Sequence, residues 1–213
     1  MAARQAGRDR VPAFPDGPRQ VVDKRRVILD AAVRVFARQG FHTCRVSDIA
    51  DEAGVAYGLV YHYFQSKDQV LDTLFLERWD VLLDHIRETD AQAIPARDKL
   101  AAIASFIVDS YRHEPDLMKV IVVEVTRAAN TFGAAHLGRI TEAYALIRGI
   151  VEQAQRTGEF RPEIAAEFAT MAFYGAIEQV LTGWIFGLLE RDDDAYDHAK
   201  EYVVETICGG LEA

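Results

Sequence analysis

Residues 46–64, "VSDIADEAGVAYGLVYHYF", set two short helical stripes on either side of a glycine turn. Val46, Ile49, Ala50 and Ala53 fall at i, i+3, i+4 and i+7, the spacing of one helix face. Gly54 breaks that stripe, and "GVA" turns the chain into a third helix expected over Tyr57–Phe64. Short helix, tight turn, short helix is the pattern of a helix-turn-helix. The helix before it spans Lys24–Gln39, with Ile28, Ala31, Ala32 and Val35 as its stripe and Gly40 as its stop. The helix after it begins at Ser66, where Ser66 and Gln69 form a capping-box pattern, and runs on through Val70, Leu71, Leu74, Phe75, Leu82 and Ile86.

Beyond Pro95 the spacing predicts helices over about 97–113, 115–129, 132–157, 163–190 and 194–209. Pro115 and Pro162 stand where proline is tolerated at helix starts, and Gly158 and Gly209-Gly210 act as stops. The run "VIVVEV" (120–125) favours strand by propensity, but it lies in a longer helical context without turn signals and reads as helix. The expected fold is therefore all-α: an N-terminal three-helix helix-turn-helix head joined by a connecting helix to a larger helical body. Residues 1–22, broken by Pro12, Pro15 and Pro18 and dotted with Arg4, Arg8, Arg10 and Arg19, read as a flexible basic arm. The head is taken as 23–67 and the body as 68–213.

Charge divides along the same line. Residues 1–67 hold 11 basic and 7 acidic residues (+4), and the remainder holds 13 basic and 26 acidic (−13). A basic front on an acidic body points the front end at a polyanion. Two cysteines far apart fit a reducing compartment better than a disulfide framework. Neither a signal peptide nor a bilayer-length apolar run is present, Gln179 to Leu189 being too short, so the protein is read as cytoplasmic with no membrane partner.

Helical geometry sorts the aromatic crowding of the third helix. Val60, Tyr63 and Phe64 share one face and are expected in the core, while Tyr57, Gly58, Tyr61 and His62 fall on the opposite face and point out. That outer face suits DNA: phenols reach phosphates and thymine methyls, and an imidazole donates to or accepts from a base edge. Gly58 allows close approach, and Lys67 adds a charge at the next helix N-terminus. Arg45 and Ser47 are placed for the opposite strand, and Lys24, Arg25 and Arg26 for a phosphate or the minor groove.

The stretch "VILDAAVRVFARQGFHTCRVSDIADEAGVAYGLVYHYFQSKDQVLDTLF", residues 27–75, resembles the DNA-binding head of TetR-family transcriptional regulators. The likeness rests on "ILDAA…F…G", "V.DIA..AGV" and "YHYF.SK". It implies a homodimer whose recognition helices read a palindromic double-stranded operator, most simply as a repressor, and a small-molecule effector in the body that releases the DNA. Tyr57 stands where lysine is common in the family, Leu59 where serine or threonine is common, and Cys44 and Arg45 where two threonines are usual. On this resemblance Leu59 joins the DNA-contacting set.

In the body, Phe160–Leu189 is apolar nearly all round, with small residues that allow close helix approach. The family resemblance makes this helix and the last one a four-helix dimer interface, with Phe168, Ala172, Ala176, Leu181, Trp184 and Tyr202 as candidates. Trp79, Phe106, Tyr111, Met118, Val122, Phe132, Tyr144, Ile147 and Phe173 are candidates for an effector cavity, although each taken singly is also an ordinary core residue. "LMKVIVVEVTRAANTFG" is similar to the corresponding part of acyl-CoA-responsive family members, which would bring Arg112, Arg127, Arg139 or Arg148 to coenzyme A phosphates; surface ion pairing, such as Glu124 with Arg127, competes with that role.

An enzyme is not indicated. HExxH, GxSxG, Walker and GxGxxG patterns are absent, the six histidines lack metal-ligand spacing, and no cofactor is implied. The competing reading is an all-α protein-interaction module or small-molecule carrier without sequence-specific DNA binding.

Overall fold

The computed structural model describes residues 23–128 and 134–212. The arm 1–22 and Phe132 lie outside the described residues, as do the side chains of Glu124 and Arg127. Among the described residues the chain forms nine helices and no strand beyond an isolated bridge between Phe160 and Glu212. They are α1 (Lys24–Gln39), α2 (Val46–Ala53), α3 (Tyr57–Tyr63), α4 (Lys67–Asp90), α5 (Ala96–His113), α6 (Pro115–Ala128), α7 (Ala134–Thr157), α8 (Ala166–Ile185) and α9 (Asp193–Leu211).

Local chemistry sets the head. Asp23 caps α1, its carboxylate accepting from the Arg25 N–H at 3.0 Å. Gly54 closes α2 in the left-handed region (φ 61°), and the Gly54 and Val55 N–H groups return to the Asp51 and Ala50 carbonyls. Any other L-residue there would strain the turn that aims α3. Ser66 caps α4 by accepting from the Gln69 N–H, but the reciprocal half of the expected capping box goes elsewhere: Gln69 accepts from the Gln65 N–H. Ile28, Leu29, Ala31, Ala32, Val35 and Phe36 of α1 are buried against Ile49, Ala50, Val60 and Phe64.

Two hydrophobic cores meet inside α4. Val70, Leu71 and Leu74 belong to the head core, and Phe75, Trp79, Leu82, Leu83 and Ile86 to the body core. The division thus lies beyond the boundary expected after Lys67, because the first two turns of α4 complete the head. In the body α4 packs on α7 and α5, α5 on α9, and α7 and α9 on α8.

The long helix expected over 163–190 is shorter at both ends. At Gly183 the Leu188 and Leu189 N–H groups return to one carbonyl, and Gly187 adopts φ 70°. The Leu189 side chain then folds onto Gly183, where a Cβ would stand 2.7 Å from it. The left-handed turn at Gly187 and the bonds back to the Gly183 carbonyl end α8 at Ile185.

Candidate DNA-binding face and effector cavity

Helix α3 offers a ridge of phenols. Tyr57 and Tyr61, one turn apart, are 54% and 44% exposed, and the Tyr57 hydroxyl donates to that of Tyr61 at 3.2 Å. Their rings meet edge to face at 5.1 Å. The hydrogen bond with Tyr57 and then desolvation raise the Tyr61 pKa above its ordinary value. His62 is exposed, Gly58 opens onto free space and Leu59 is half-buried. Val60 and Phe64 are buried as expected, but Tyr63 is exposed and its ring lies against His62. With α3 ending at Tyr63, the extended backbone of Phe64 inserts its ring into the core and leaves Tyr63 at the rim.

The basic character of the head is largely spent within the fold. Arg25 pairs with Glu77 at 2.6 Å, Arg26 with Asp30 at 2.9 Å, and Arg34 and Arg38 both grip Glu52. Hydrogen bonds from Arg34 and then Arg38 hold the Glu52 carboxyl below its usual range. Lys67, expected on a phosphate, instead donates to the Phe41 and Cys44 carbonyls at 2.6 and 2.9 Å and lies 4.6 Å from the centre of the Phe41 ring. The reason is geometric: the α1–α2 loop turns the Phe41 and Cys44 carbonyls toward the start of α4. Lys24 and Arg45 are exposed, and their side chains enter no ion pair among the described residues. The Arg45 backbone N–H donates to Asp48 at 2.8 Å, which fixes the start of α2 with Ser47 half-buried beside it.

The body contains a cavity of about 140 Å³. Its walls are Arg78, Trp79 and Leu82 of α4, Phe106 and Ile107 of α5, Met118, Ile121 and Val122 of α6, Ile140 and Tyr144 of α7, and Tyr174, Ile177, Glu178 and Leu181 of α8. Trp79, Phe106, Met118, Val122 and Tyr144 thus come together. Tyr111, Ile147 and Phe173 do not: each is buried in the core away from this wall, and Tyr111 stacks on Trp184 at 5.4 Å. Sequence reasoning missed the α8 wall, although Tyr174, Ile177, Glu178 and Leu181 stand at i, i+3, i+4 and i+7. Glu178, a lone acid in an apolar run, was its signal. Burial raises the Glu178 pKa, and burial together with Glu178 raises those of Tyr144 and Tyr174. Arg78 lies over the Phe106 ring at 5.2 Å, and burial lowers its pKa against the opposing pull of Glu114. The arginines expected near phosphates are otherwise engaged: Arg112 with Asp193, Arg139 with Asp80 and Arg148 with Glu152.

A second, open groove runs between head and body, bordered by Arg26, Asp30 and Arg34 of α1, by Glu77 and Arg78 of α4, and by the α5–α6 turn. Arg78 is common to both walls.

Among the interface candidates, Phe168 and Tyr202 are 69% and 61% exposed, and Ala172 and Ala176 are half-buried. Leu181 and Trp184 are buried inside the protomer, one in the cavity wall and the other between Tyr111 and Tyr196, so neither offers a surface to a partner. Met171, Phe186 and Leu188 are exposed instead. Among the described residues no three His, Cys, Asp or Glu side chains converge as metal ligands, and no helix is long and apolar enough to cross a membrane.

Residues 28–74 match the family described as "Bacterial regulatory proteins, tetR family", and residues 75–201 match "YsiA-like protein, C-terminal region". The chain is 29% identical over 187 residues to the fatty acid metabolism regulator protein of Bacillus subtilis (strain 168), a match covering 86% of this chain and 93% of that one. Its fold is similar to that of the fatty acid degradation regulator of Bacillus halodurans, with a TM-score of 0.76, 27% identity, and 92% and 98% of the two chains covered. The Bacillus subtilis regulator solved in complex with stearoyl-CoA gives 0.72, 25% identity, and 88% and 99% coverage.

Proposed function

The chain belongs to the TetR family of bacterial regulatory proteins, and from that premise we propose how its two sites work together. It is a ligand-responsive transcriptional repressor that binds operator DNA as a dimer. The coupling rests on the placement of α6. Met118, Ile121 and Val122 face the cavity, while Val120 closes the head core and the Lys119 amine donates to the Ala37 carbonyl in α1 at 2.8 Å. Helix α4 bridges in the same way, with Leu71 and Leu74 in the head core and Trp79 and Leu82 in the cavity wall. Pressure on the cavity side of either helix is therefore felt in the head.

The effector in this reading is a long-chain acyl-CoA. Support comes from the apolar walls and from the stearoyl-CoA bound by the Bacillus subtilis relative. A cavity of this size accommodates about one benzene ring. A long chain must part α4, α6, α7 and α8 to enter, so it binds the parted state better, and only such a difference in affinity can move the equilibrium. The polar end leaves past Arg78 into the groove between head and body. Parting the walls tilts α4 and carries the two heads out of register with successive major grooves. On the DNA, Tyr57, Gly58, Leu59, Tyr61 and His62 meet the major groove, and Arg45, Ser47 and Lys24 hold the backbone. Phe168, Ala172, Ala176 and Tyr202, with Met171, form the α8–α9 face toward the second protomer.

The test is selection of bound fragments from sheared genomic DNA, repeated with acyl-CoAs of graded length. Enrichment of a palindrome, lost with long-chain members, is the expected result. A palindrome indifferent to every acyl-CoA refutes this effector, and no enrichment at moderate salt refutes the DNA face.

A further inference from the structure

Besides Arg78, three polar groups line the largely apolar cavity, and none has a side-chain hydrogen bond among the described residues: the Glu178 carboxyl and the phenols of Tyr144 and Tyr174. They form one cluster. Tyr174 and Glu178 stand one turn apart on α8 and share its cavity face, and the Tyr144 ring from α7 meets that of Tyr174 at 5.2 Å. Burial opposes the charge on Glu178, and Glu178 in turn opposes ionisation of both phenols, so the three act on one another. The cation in the cavity wall, Arg78, is on α4, engaged by the Phe106 ring and by Glu114 at 4.0 Å.

Water reaches these polar atoms in the free cavity, and a plain saturated chain threaded past them would dehydrate them without offering a bond. A ligand carboxylate would be repelled by Glu178. A hydroxyl fits the inventory: it donates to a carboxylate oxygen and accepts from a phenol at the same time.

On the acyl-thioester reading above, we infer that the Glu178–Tyr174–Tyr144 cluster selects an effector whose apolar portion carries a hydroxyl group part-way along it. Glu178 accepts a hydrogen bond from the hydroxyl, and a tyrosine donates one to the hydroxyl oxygen. Position along the chain then becomes the specificity variable, because the cluster is fixed on α7 and α8 while the polar end is fixed near Arg78.

Isothermal titration calorimetry of the full-length dimer with stearoyl-CoA, its positional hydroxy isomers and the matching keto isomers tests this. At least one hydroxy isomer is expected to bind about tenfold or more tightly than stearoyl-CoA, in keeping with the cost of leaving a polar site unmet. Glu178→Gln, which keeps the shape of the wall, shrinks that ratio, and Glu178→Leu with Tyr174→Phe erases it. Hydroxy isomers that bind no tighter than stearoyl-CoA, a preference that survives Glu178→Leu, or a keto isomer that binds tightest overturns the inference alone. If none of the thioesters binds, the acyl-CoA effector falls and this inference with it.

Discussion

Replacing Lys67 by methionine separates two roles that a lysine at a helix start can have. The Lys67 amine holds the Phe41 and Cys44 carbonyls at 2.6 and 2.9 Å, with that of His42 farther off at 3.4 Å, and its stem crosses the Phe41 ring. Methionine keeps the stem and removes the donors and the charge. A hydrogen bond from a charged donor contributes about 1.5–3 kcal/mol. Water reaches this half-buried loop once the amine is gone, so the two close bonds together contribute about 3 kcal/mol rather than their full sum. For a chain of this size that lowers Tm by about 6–12 °C. The discriminating assay pairs calorimetric melting with operator affinity measured over a salt series. A loop staple lowers Tm and weakens DNA binding while the slope of log K against log salt stays unchanged. A phosphate contact flattens that slope by about 0.9 for each half-site and leaves Tm alone. An unchanged Tm with the flatter slope would refute the structural role assigned to Lys67.

Arg45→Ala should flatten the same slope by about 0.9 per half-site, whereas Arg34→Ala should leave it intact and return the Glu52 carboxyl toward its ordinary pKa, as NMR titration would show. For Glu178 the folded pKa lies above the unfolded one, so its contribution to stability is fully present at low pH. That contribution is lost as pH rises from the ordinary glutamate value through the raised one. Glu178→Gln should remove this decline in a pH series of denaturant melts, and a decline that persists in the variant assigns it to other groups. Trp184→Ala should cost about 3–5 kcal/mol of protomer stability, since the indole is packed between Tyr111 and Tyr196. Phe168→Glu should shift sedimentation toward monomer with little loss of that stability, and the reverse pattern would exchange the two roles.

The all-α architecture and the helix-turn-helix head were legible in the sequence because their signals are local. A stripe at helical spacing, a glycine that must take positive φ at Gly54 and a serine cap at Ser66 each act within a turn or two of chain. The outward face of α3 was legible for the same reason, apart from Tyr63, whose place depends on where α3 stops. The partners of charged groups depend on residues far along the chain. Lys67 meets carbonyls more than twenty positions away and Arg25 meets Glu77, so a net charge of +4 over 1–67 overstated what the head presents to DNA. The roles of aromatic residues divided likewise. Tyr111 and Phe173 were candidates for the cavity and Trp184 for the dimer interface, yet packing of α5, α8 and α9 buries all three in the core, while Glu178 acquires its significance from α7 across the cavity. Periodicity identifies which face of a helix is apolar. Only the packing of helices distant in sequence decides whether that face meets core, cavity or partner, because burial is a property of the neighbours a residue acquires.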